Sequence, residues 1–160
     1  PDTGSVDYGH GCKIGYFAQE HDTLDLDATV LQNLIHVAPE LDDTQVRSIL
    51  GSFLFSGDDA LKPARVLSGG EKVRLMLARM MLFGSNVLVV DQPTNHLDLE
   101  SITAVNNGVR DFKGTVLFAS HDHEFVQTIA TRIIEIREKG VLDKECTYDE
   151  FLEFRETYKG

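Results

Sequence analysis

Apolar residues recur along this chain at two spacings, and the switches between them predict alternating helices and strands. Short runs rich in β-branched residues predict two buried parallel strands, Val87–Val90 and Thr115–Ala119. A further strand is predicted over Arg132–Ile136. Apolar positions three and four residues apart predict helices over about 69–83, 99–111, 124–130 and from 148 onward. This alternation predicts an α/β fold, a mostly parallel sheet flanked by helices, with ligands at the carboxyl ends of the strands.

The beginning of the chain predicts a small antiparallel β part over about 1–23. Val6 and Tyr8 alternate with polar residues, the glycine-rich segment 9–11 predicts a turn, and residues 13–19 alternate again. We therefore expect two antiparallel strands joined by a tight turn.

Helical spacing then predicts a helical subdomain inserted over about 24–65. Pro39 is expected to end its first helix, because proline cannot continue the hydrogen-bond ladder. Asp42 or Asp43 can cap the second helix. Residues 66–160 then complete the α/β body.

The composition is that of one soluble globular domain. Apolar residues make up 42% and charged residues 26%, and no apolar stretch approaches the ~18 residues of a membrane span. The 15 Lys and Arg against 26 Asp and Glu give a net charge of -11. This balance argues against the chain wrapping nucleic acid by itself, because phosphate binding needs clustered cations. Cys12 and Cys146 lack C-x-x-C spacing, which favours a reducing cytoplasm over a disulfide framework.

The segment Leu67–Glu71 combines a helix start with features of an anion site. Ser68 and Glu71 have the spacing of a capping box. Gly69 and Gly70 between them each cost a helix about 1 kcal/mol relative to alanine, so a helix start alone does not explain them. They make sense if a ligand approaches the backbone closely. A helix N-terminus with bare amides and a serine hydroxyl suits a phosphate.

Polar residues also follow each predicted buried strand. Asp91 ends the first strand, where a carboxylate can hold hydrated Mg²⁺ beside nucleotide phosphates, although a strand-end turn is the simpler interpretation. His121 and His123 follow the second strand. A structural role is the ordinary explanation for such histidines, and we expect no zinc site there.

Taken together, these segments resemble the ATP-binding cassette (ABC) ATPases over essentially the whole chain. Five of that family's motifs match in order, namely the Q-loop glutamine Gln19, the signature Leu67–Glu71, the Walker B strand Val87–Asp91, the D-loop at Leu97–Asp98 and the switch histidine His121. Within the family, Pro93–Asp98 and Ser120–Phe125 are similar to the ABC-F branch, and the end of the chain is most similar to the C-terminal one of its two cassettes.

The resemblance implies that ATP and Mg²⁺ are bound between two cassettes paired head to tail. Ser68, Gly69, Gly70, Glu71 and Asp98 are then ATP-binding residues. The serine and the two glycines bind the γ-phosphate of an ATP that a second cassette holds. Asp91 and Gln19 serve the chain's own nucleotide through Mg²⁺ and water, and His121 contacts its γ-phosphate. ATP binding closes the pair and hydrolysis opens it. ABC-F proteins couple this closure to the ribosome and its tRNA sites, through segments outside this chain.

Two departures from the family pattern bear on this interpretation. No G-x-x-x-x-G-K-[ST] loop occurs in the chain, and in the family it precedes the position matching Pro1, so we expect a cassette fragment without its phosphate cradle. Gln92 stands where the family has a glutamate that activates water. An amide keeps the shape but cannot act as a base, so hydrolysis is expected to be blocked. We favour a deliberate Glu-to-Gln substitution over natural drift, because the neighbouring motifs are intact.

Other functions remain open from the sequence. A transporter ATPase would dock on membrane partners, but such cassettes rarely carry Asn95-His96 before the D-loop. Chromosome-maintenance and DNA-repair ATPases share the signature but differ at Pro93–His96. A nucleotide-gated interaction module without turnover is favoured by Gln92 and by the absent loop.

Overall fold

The computed structural model describes residues 3–17, 24–95, 97–138 and 140–157. The chain divides into two compact units, residues 1–119 and 120–160. The helices and strands of the first unit are β1 (Ile14–Phe17), α1 (Val30–Ile35), α2 (Asp43–Ser52), α3 (Gly69–Leu82), β2 (Val87–Asp91), α4 (Leu99–Asp111) and β3 (Thr115–Ala119). Two short 3-10 helices lie at Gly57–Leu61 and Ala64–Val66. None of the helices in the described ranges has the length and apolar character needed to cross a lipid bilayer.

The sheet of the first unit is parallel and has the strand order β1–β2–β3. Ile14 lies level with Val87, and Val87 lies level with Thr115. Its strands are therefore level at their starts, and β2 and β3 continue together to Asp91 and Ala119. The α/β fold with a parallel sheet and flanking helices, which the alternation of apolar spacings predicts, is confirmed.

The two faces of this sheet differ in burial. Phe17, Leu88 and Val90 are buried on one face, whereas Tyr16 and Leu117 on the other face are 61% and 56% exposed. The expectation of a fully buried β3 is thus wrong. An apolar run has the same sequence pattern whether one or both faces of the strand are covered, so the pattern alone does not distinguish the two cases.

Within residues 3–17, the antiparallel strands expected near the start of the chain are not formed, and the rest of that expectation lies outside the described residues. A turn is present, since the Cys12 N–H donates to the Gly9 carbonyl at 3.1 Å, but β1 pairs in parallel with β2. The Asn86 side chain accepts from the Lys13 N–H at 2.8 Å and donates to the Gly11 carbonyl at 2.9 Å. This anchor, just before β2, aligns β1 with β2. The antiparallel sheet of the described residues is formed by two later strands of the second unit.

Capping boxes begin the first two helices. Thr29 caps α1 with Gln32, and Asp42, not Asp43, caps α2 with Gln45. In each case the side chain accepts from the backbone of the third helical residue, whose own side chain accepts from the cap. The elements between residues 24 and 68 are therefore helices, and the apolar faces of α1 and α2 are buried at Val30, Leu34, Val46 and Leu50.

Gly108 lets α4 pack closely against the end of α2. A Cβ at this position would lie 2.6 Å from the Phe53 ring, and Phe53 is itself buried and follows the last residue of α2. The glycine in a helix interior therefore has a packing reason that offsets its helical cost.

We predict that Gly108→Ala lowers the free energy of unfolding by about 1–3 kcal/mol, because the buried ring has little room to move. Gly51 is the matched control, since it also lies inside a helix but has nothing within 4 Å of the position of a Cβ. Gly51→Ala should raise the free energy of unfolding by about 0.5–1 kcal/mol. Chemical denaturation of both variants checks the pair, and equal shifts would contradict the packing argument.

The second unit contains an antiparallel hairpin and two helices. Its elements are α5 (His123–Ile129), β4 (Ile133–Arg137), β5 (Gly140–Lys144) and α6 (Tyr148–Thr157). Arg132 and Asp143 join the strands through two hydrogen bonds of 2.8 and 2.6 Å. The expected strand at 132–136 is present one residue later, and β5 was not predicted, because its alternation is interrupted by charged residues.

Candidate functional site

The N-terminus of α3 forms the predicted capping box at the protein surface. The Ser68 hydroxyl accepts from the Glu71 N–H at 3.3 Å, and the Glu71 carboxylate accepts from the Ser68 N–H at 2.7 Å. Ser68 and Gly69 are exposed. The first turn of a 14-residue helix, with its positive dipole end, is therefore accessible to an anion from outside the chain.

The two glycines of this turn have different surroundings. A Cβ built on Gly69 would have nothing within 4 Å, so this side of the helix is open. A Cβ on Gly70 would lie 3.2 Å from the Ser101 hydroxyl and 3.5 Å from an Asp98 carboxylate oxygen. Gly70 therefore serves the close approach of α3 to α4, whereas Gly69 leaves room for a ligand.

Asp98 is the N-cap of α4 and lies directly beside the start of α3. Its carboxylate accepts from the Ser101 N–H at 2.8 Å and from the Ser101 hydroxyl at 2.9 Å. These two donors from Ser101 hold the pKa of the Asp98 carboxyl below its usual value, with a small contribution from the charge of Arg74. Asp98 is thus a fixed negative charge between two helix N-termini.

Ser101 and Arg74 support the site although sequence reasoning missed both. Ser101 is 1% exposed. The sequence signal for it is its position three residues after Asp98, because an N-cap side chain typically accepts from the N–H at that spacing. Arg74 is buried in α3, donates to the Phe53 carbonyl at 2.8 Å and lies over the Phe55 ring at 5.1 Å. A charged residue amid the apolar positions of a helix was the available signal for it.

Asp91 and Gln92 lie together at the carboxyl end of β2. Asp91 is exposed and is level with Ala119 of β3. Gln92 has φ of 49°, a left-handed conformation that is uncommon outside glycine. Its N–H donates to the Ala119 carbonyl at 2.9 Å, and its carbonyl accepts from the Asn95 N–H at 3.2 Å. The backbone around residue 92 is therefore held on both sides, as in many functional turns.

The structure does not test the place of two further predicted site residues in this group. Gln19 lies outside the described residues. His121 belongs to the second unit and is exposed just before α5, whose N-cap is Asp122. The structure thus places the signature turn beside Asp98, and it places Asp91 and Gln92 together at the end of β2.

The residue types fit Mg²⁺ and a phosphate better than a protein-only metal cage. In the described ranges no three His, Cys, Asp or Glu side chains cluster as metal ligands. Mg²⁺ typically takes one or two carboxylates and completes its shell with water and substrate phosphates, a role that the exposed Asp91 can fill. Its carboxylate would hold the ion, which would neutralise charge on the phosphates.

The fold and these motifs define a nucleotide-binding cassette. Residues 9–95 match the family model described as ABC transporter, and the chain belongs to the ATP-binding cassette family. It is 49% identical over 161 residues to the ABC transporter ATP-binding protein YkpA of Bacillus subtilis, covering 99% of this chain and 30% of YkpA. It is 37% identical over 155 residues to ABC transporter F family member 2 of Arabidopsis thaliana, covering 96% of this chain and 23% of that protein. Its relatives thus include ABC-F proteins, as the sequence predicts.

A solved structure supports the same fold. The complex of archaeal ribosomal stalk protein aP1 and archaeal ribosome recycling factor aABCE1 matches with a TM-score of 0.73 at 20% identity, over 96% of this chain and 32% of that one. At this identity the likeness shows the fold alone. The chain spans less than a third of the length of these relatives and of this structure.

Proposed function

We propose that this chain is the ATP-binding and ATP-hydrolysing cassette of an ABC-F protein that acts on the ribosome in the cytoplasm, in translation regulation or antibiotic resistance. The similarity to ABC transporter F family member 2 supports the ABC-F branch. The protein aABCE1, which has the same fold, forms a complex with the ribosomal stalk protein aP1. This partner suggests that the function of this chain should be sought on the ribosome. A second cassette, in the same chain or in a dimer mate, is the proposed partner for ATP binding.

The observation that carries the proposal is the open turn at the start of α3. Ser68 and Gly69 are exposed, and the space beside Gly69 is empty to 4 Å. Amides of a helix N-terminus donate hydrogen bonds to anions, and the missing Cβ lets a phosphate approach them. In the proposed closed state, the γ-phosphate comes from an ATP seated in the second cassette. Asp98, fixed beside Gly70, lies at the same interface.

The other proposed roles concern the nucleotide that this cassette itself holds. Asp91 holds Mg²⁺, and Gln19 reaches the ion partly through water. His121 contacts the γ-phosphate, and Gln92 positions the attacking water. An amide cannot accept the proton of that water, so we propose that hydrolysis is blocked and that the ATP-bound closed state persists. Gln92 equally favours the second candidate function, a nucleotide-gated interaction module without turnover.

The ribosomal part of the proposal can be tested in a YkpA chimera, in which this chain replaces the stretch of YkpA that it matches. We predict that the chimera pellets with ribosomes through a sucrose cushion more strongly with ATP than with ADP, because only ATP brings a γ-phosphate to Ser68 and Gly69. Asp91→Asn is the control, since it removes the carboxylate for Mg²⁺ and should abolish the ATP dependence. Equal pelleting with both nucleotides would contradict the proposal.

A further inference from the structure

Arg74 lies inside α3, in surroundings that are unfavourable for a charge. It is 9% exposed. Its Nη1 atom donates to the Phe53 carbonyl at 2.8 Å, and its guanidinium lies over the Phe55 ring at 5.1 Å. Its Nε atom is buried and has no hydrogen-bond partner within the described part of the chain. Burial of a guanidinium with an unused donor is costly, so packing alone does not account for this residue.

The hydrogen bond from Arg74 holds the end of α2. The chain leaves this helix through Leu54, which has φ of 64°, a left-handed conformation that leucine rarely adopts. The turn is closed by the Phe55 N–H, which donates to the Leu50 carbonyl at 2.9 Å. The Phe53 carbonyl, which directly precedes Leu54, accepts from Arg74. A side chain of α3 therefore fixes a strained turn at the end of α2.

Phe53 is the point at which three helices meet. It follows the last residue of α2, and its carbonyl accepts from Arg74 of α3. Its ring lies against α4, where a Cβ on Gly108 would be 2.6 Å away. Phe53, Arg74 and Gly108 therefore form a junction of α2, α3 and α4, and Arg74 supplies its hydrogen bond.

The same side chain acts on the other end of α4. Asp98, the N-cap of this helix, lies beside Gly70, with a carboxylate oxygen 3.5 Å from the position of a Cβ. Hydrogen bonds from Ser101 lower the pKa of Asp98 most, and the positive charge of Arg74 adds a smaller effect. Arg74 thus connects α4 to α3 at both ends, through Phe53 near the last turn and through its charge at the first.

We propose that Arg74 is a positioning residue for the turn at the start of α3, where Ser68 and Gly69 are proposed to receive the γ-phosphate. Arg74 holds the junction, so that α4 keeps Asp98 beside Gly70 and the first turn of α3 keeps one orientation. It acts through these residues and not by contact with the nucleotide. A displacement of about 1 Å at a group that binds the reacting phosphate can slow a reaction roughly 10²-fold. The inference rests on the function proposed above for this turn.

Single-turnover phosphate release by the YkpA chimera carrying Gln92→Glu tests this role. Arg74→Met keeps most of the side-chain volume but removes the charge and the donors, so phosphate release should fall roughly 10²-fold. Arg74→Lys keeps a charge and a donor for the Phe53 carbonyl, so its rate should stay within about tenfold of the parent. A role in packing alone predicts the opposite order, because an apolar side chain suits a buried site better than an ammonium group. Arg110→Met, which removes an exposed cation from the last turn of α4, should leave the rate unchanged.

Two further measurements distinguish a displaced turn from an unfolded cassette. The dissociation constant for ADP should be the same in Arg74→Met as in the parent, because ADP has no γ-phosphate to place on the turn. Hydrogen exchange of the nucleotide-free chimera reports on the start of α4 without any reaction. The Ser101 N–H, which donates to Asp98 at 2.8 Å, should exchange roughly tenfold faster in Arg74→Met than in Arg110→Met.

The inference fails by itself if the parent releases phosphate and Arg74→Met releases it equally fast, or if Arg74→Met is faster than Arg74→Lys. Unaltered exchange at Ser101 in Arg74→Met would overturn it even in a chimera that hydrolyses no ATP. Loss of ADP binding in both Arg74 variants would mean that Arg74 holds the fold as a whole, which also contradicts a positioning role. A parent that binds nucleotide but releases no phosphate would instead contradict the proposed function, and the role of Arg74 in the reaction would fall with it.

Discussion

Gln92→Glu is expected to accelerate phosphate release from the YkpA chimera by roughly 10²- to 10⁴-fold, the usual contribution of a general base. The two side chains have almost the same shape, and the backbone of residue 92 is held by Ala119 and Asn95. The substitution therefore changes the chemistry of one side-chain group and leaves its position unchanged. The measurement is single-turnover phosphate release with saturating ATP and Mg²⁺.

Gln92→Ala is the control for this prediction, because it removes the amide without supplying a base. It should release phosphate as slowly as the parent chimera. The free energy of unfolding of both variants should stay close to that of the parent, because Gln, Glu and Ala all carry the Cβ that already lies at φ of 49°. Unchanged phosphate release in Gln92→Glu, with nucleotide still bound, would show that the glutamine is not what limits turnover.

Local features of this fold could be predicted from the sequence because they are encoded by neighbouring residues. The capping box of Ser68 and Glu71 depends on two side chains three positions apart, and the structure confirms it. The strand ending at Asp91 is confirmed for the same reason, since a short β-branched run carries its own signal. The start of such a helix and the position of such a strand are each determined by a few neighbouring residues.

Features that depend on distant partners could not be predicted in the same way. The Val6–Tyr8 alternation is typical of a strand, yet β1 pairs with β2 because Asn86, far along the chain, holds Lys13. The exposure of Leu117 depends on whether another layer covers that face, which an apolar run does not reveal. Pairing and coverage are properties of the assembled fold.

The signature glycines show the same limit at the candidate site. The sequence predicts the same explanation for both glycines, namely the close approach of a ligand. The structure separates them, since Gly70 is required by the contact of α3 with Ser101 and Asp98, and Gly69 faces open space. Only the packing of α4, which begins 29 residues after Gly70, distinguishes the two roles.

Gly69→Asp is expected to affect stability and activity in opposite directions. A Cβ at Gly69 meets nothing within 4 Å, and a carboxylate in the first turn of a helix interacts favourably with the helix dipole. The free energy of unfolding should therefore rise by about 0.5–1 kcal/mol. If the turn receives a γ-phosphate, the new charge repels it at the amides that bind it. Phosphate release in the Gln92→Glu background should then fall by roughly 10²- to 10³-fold.

Two neighbouring substitutions separate this electrostatic effect from a steric one. Gly69→Ala adds bulk without charge, so it should reduce phosphate release less than Gly69→Asp while stabilising the helix similarly. Gly70→Ala presses on Ser101, 3.2 Å from the new Cβ, so it should lower stability and activity together. A Gly69→Asp variant that is more stable and fully active would mean that no phosphate reaches this turn. The role proposed for Ser68 and Gly69 would then fail, although the cassette fold would stand.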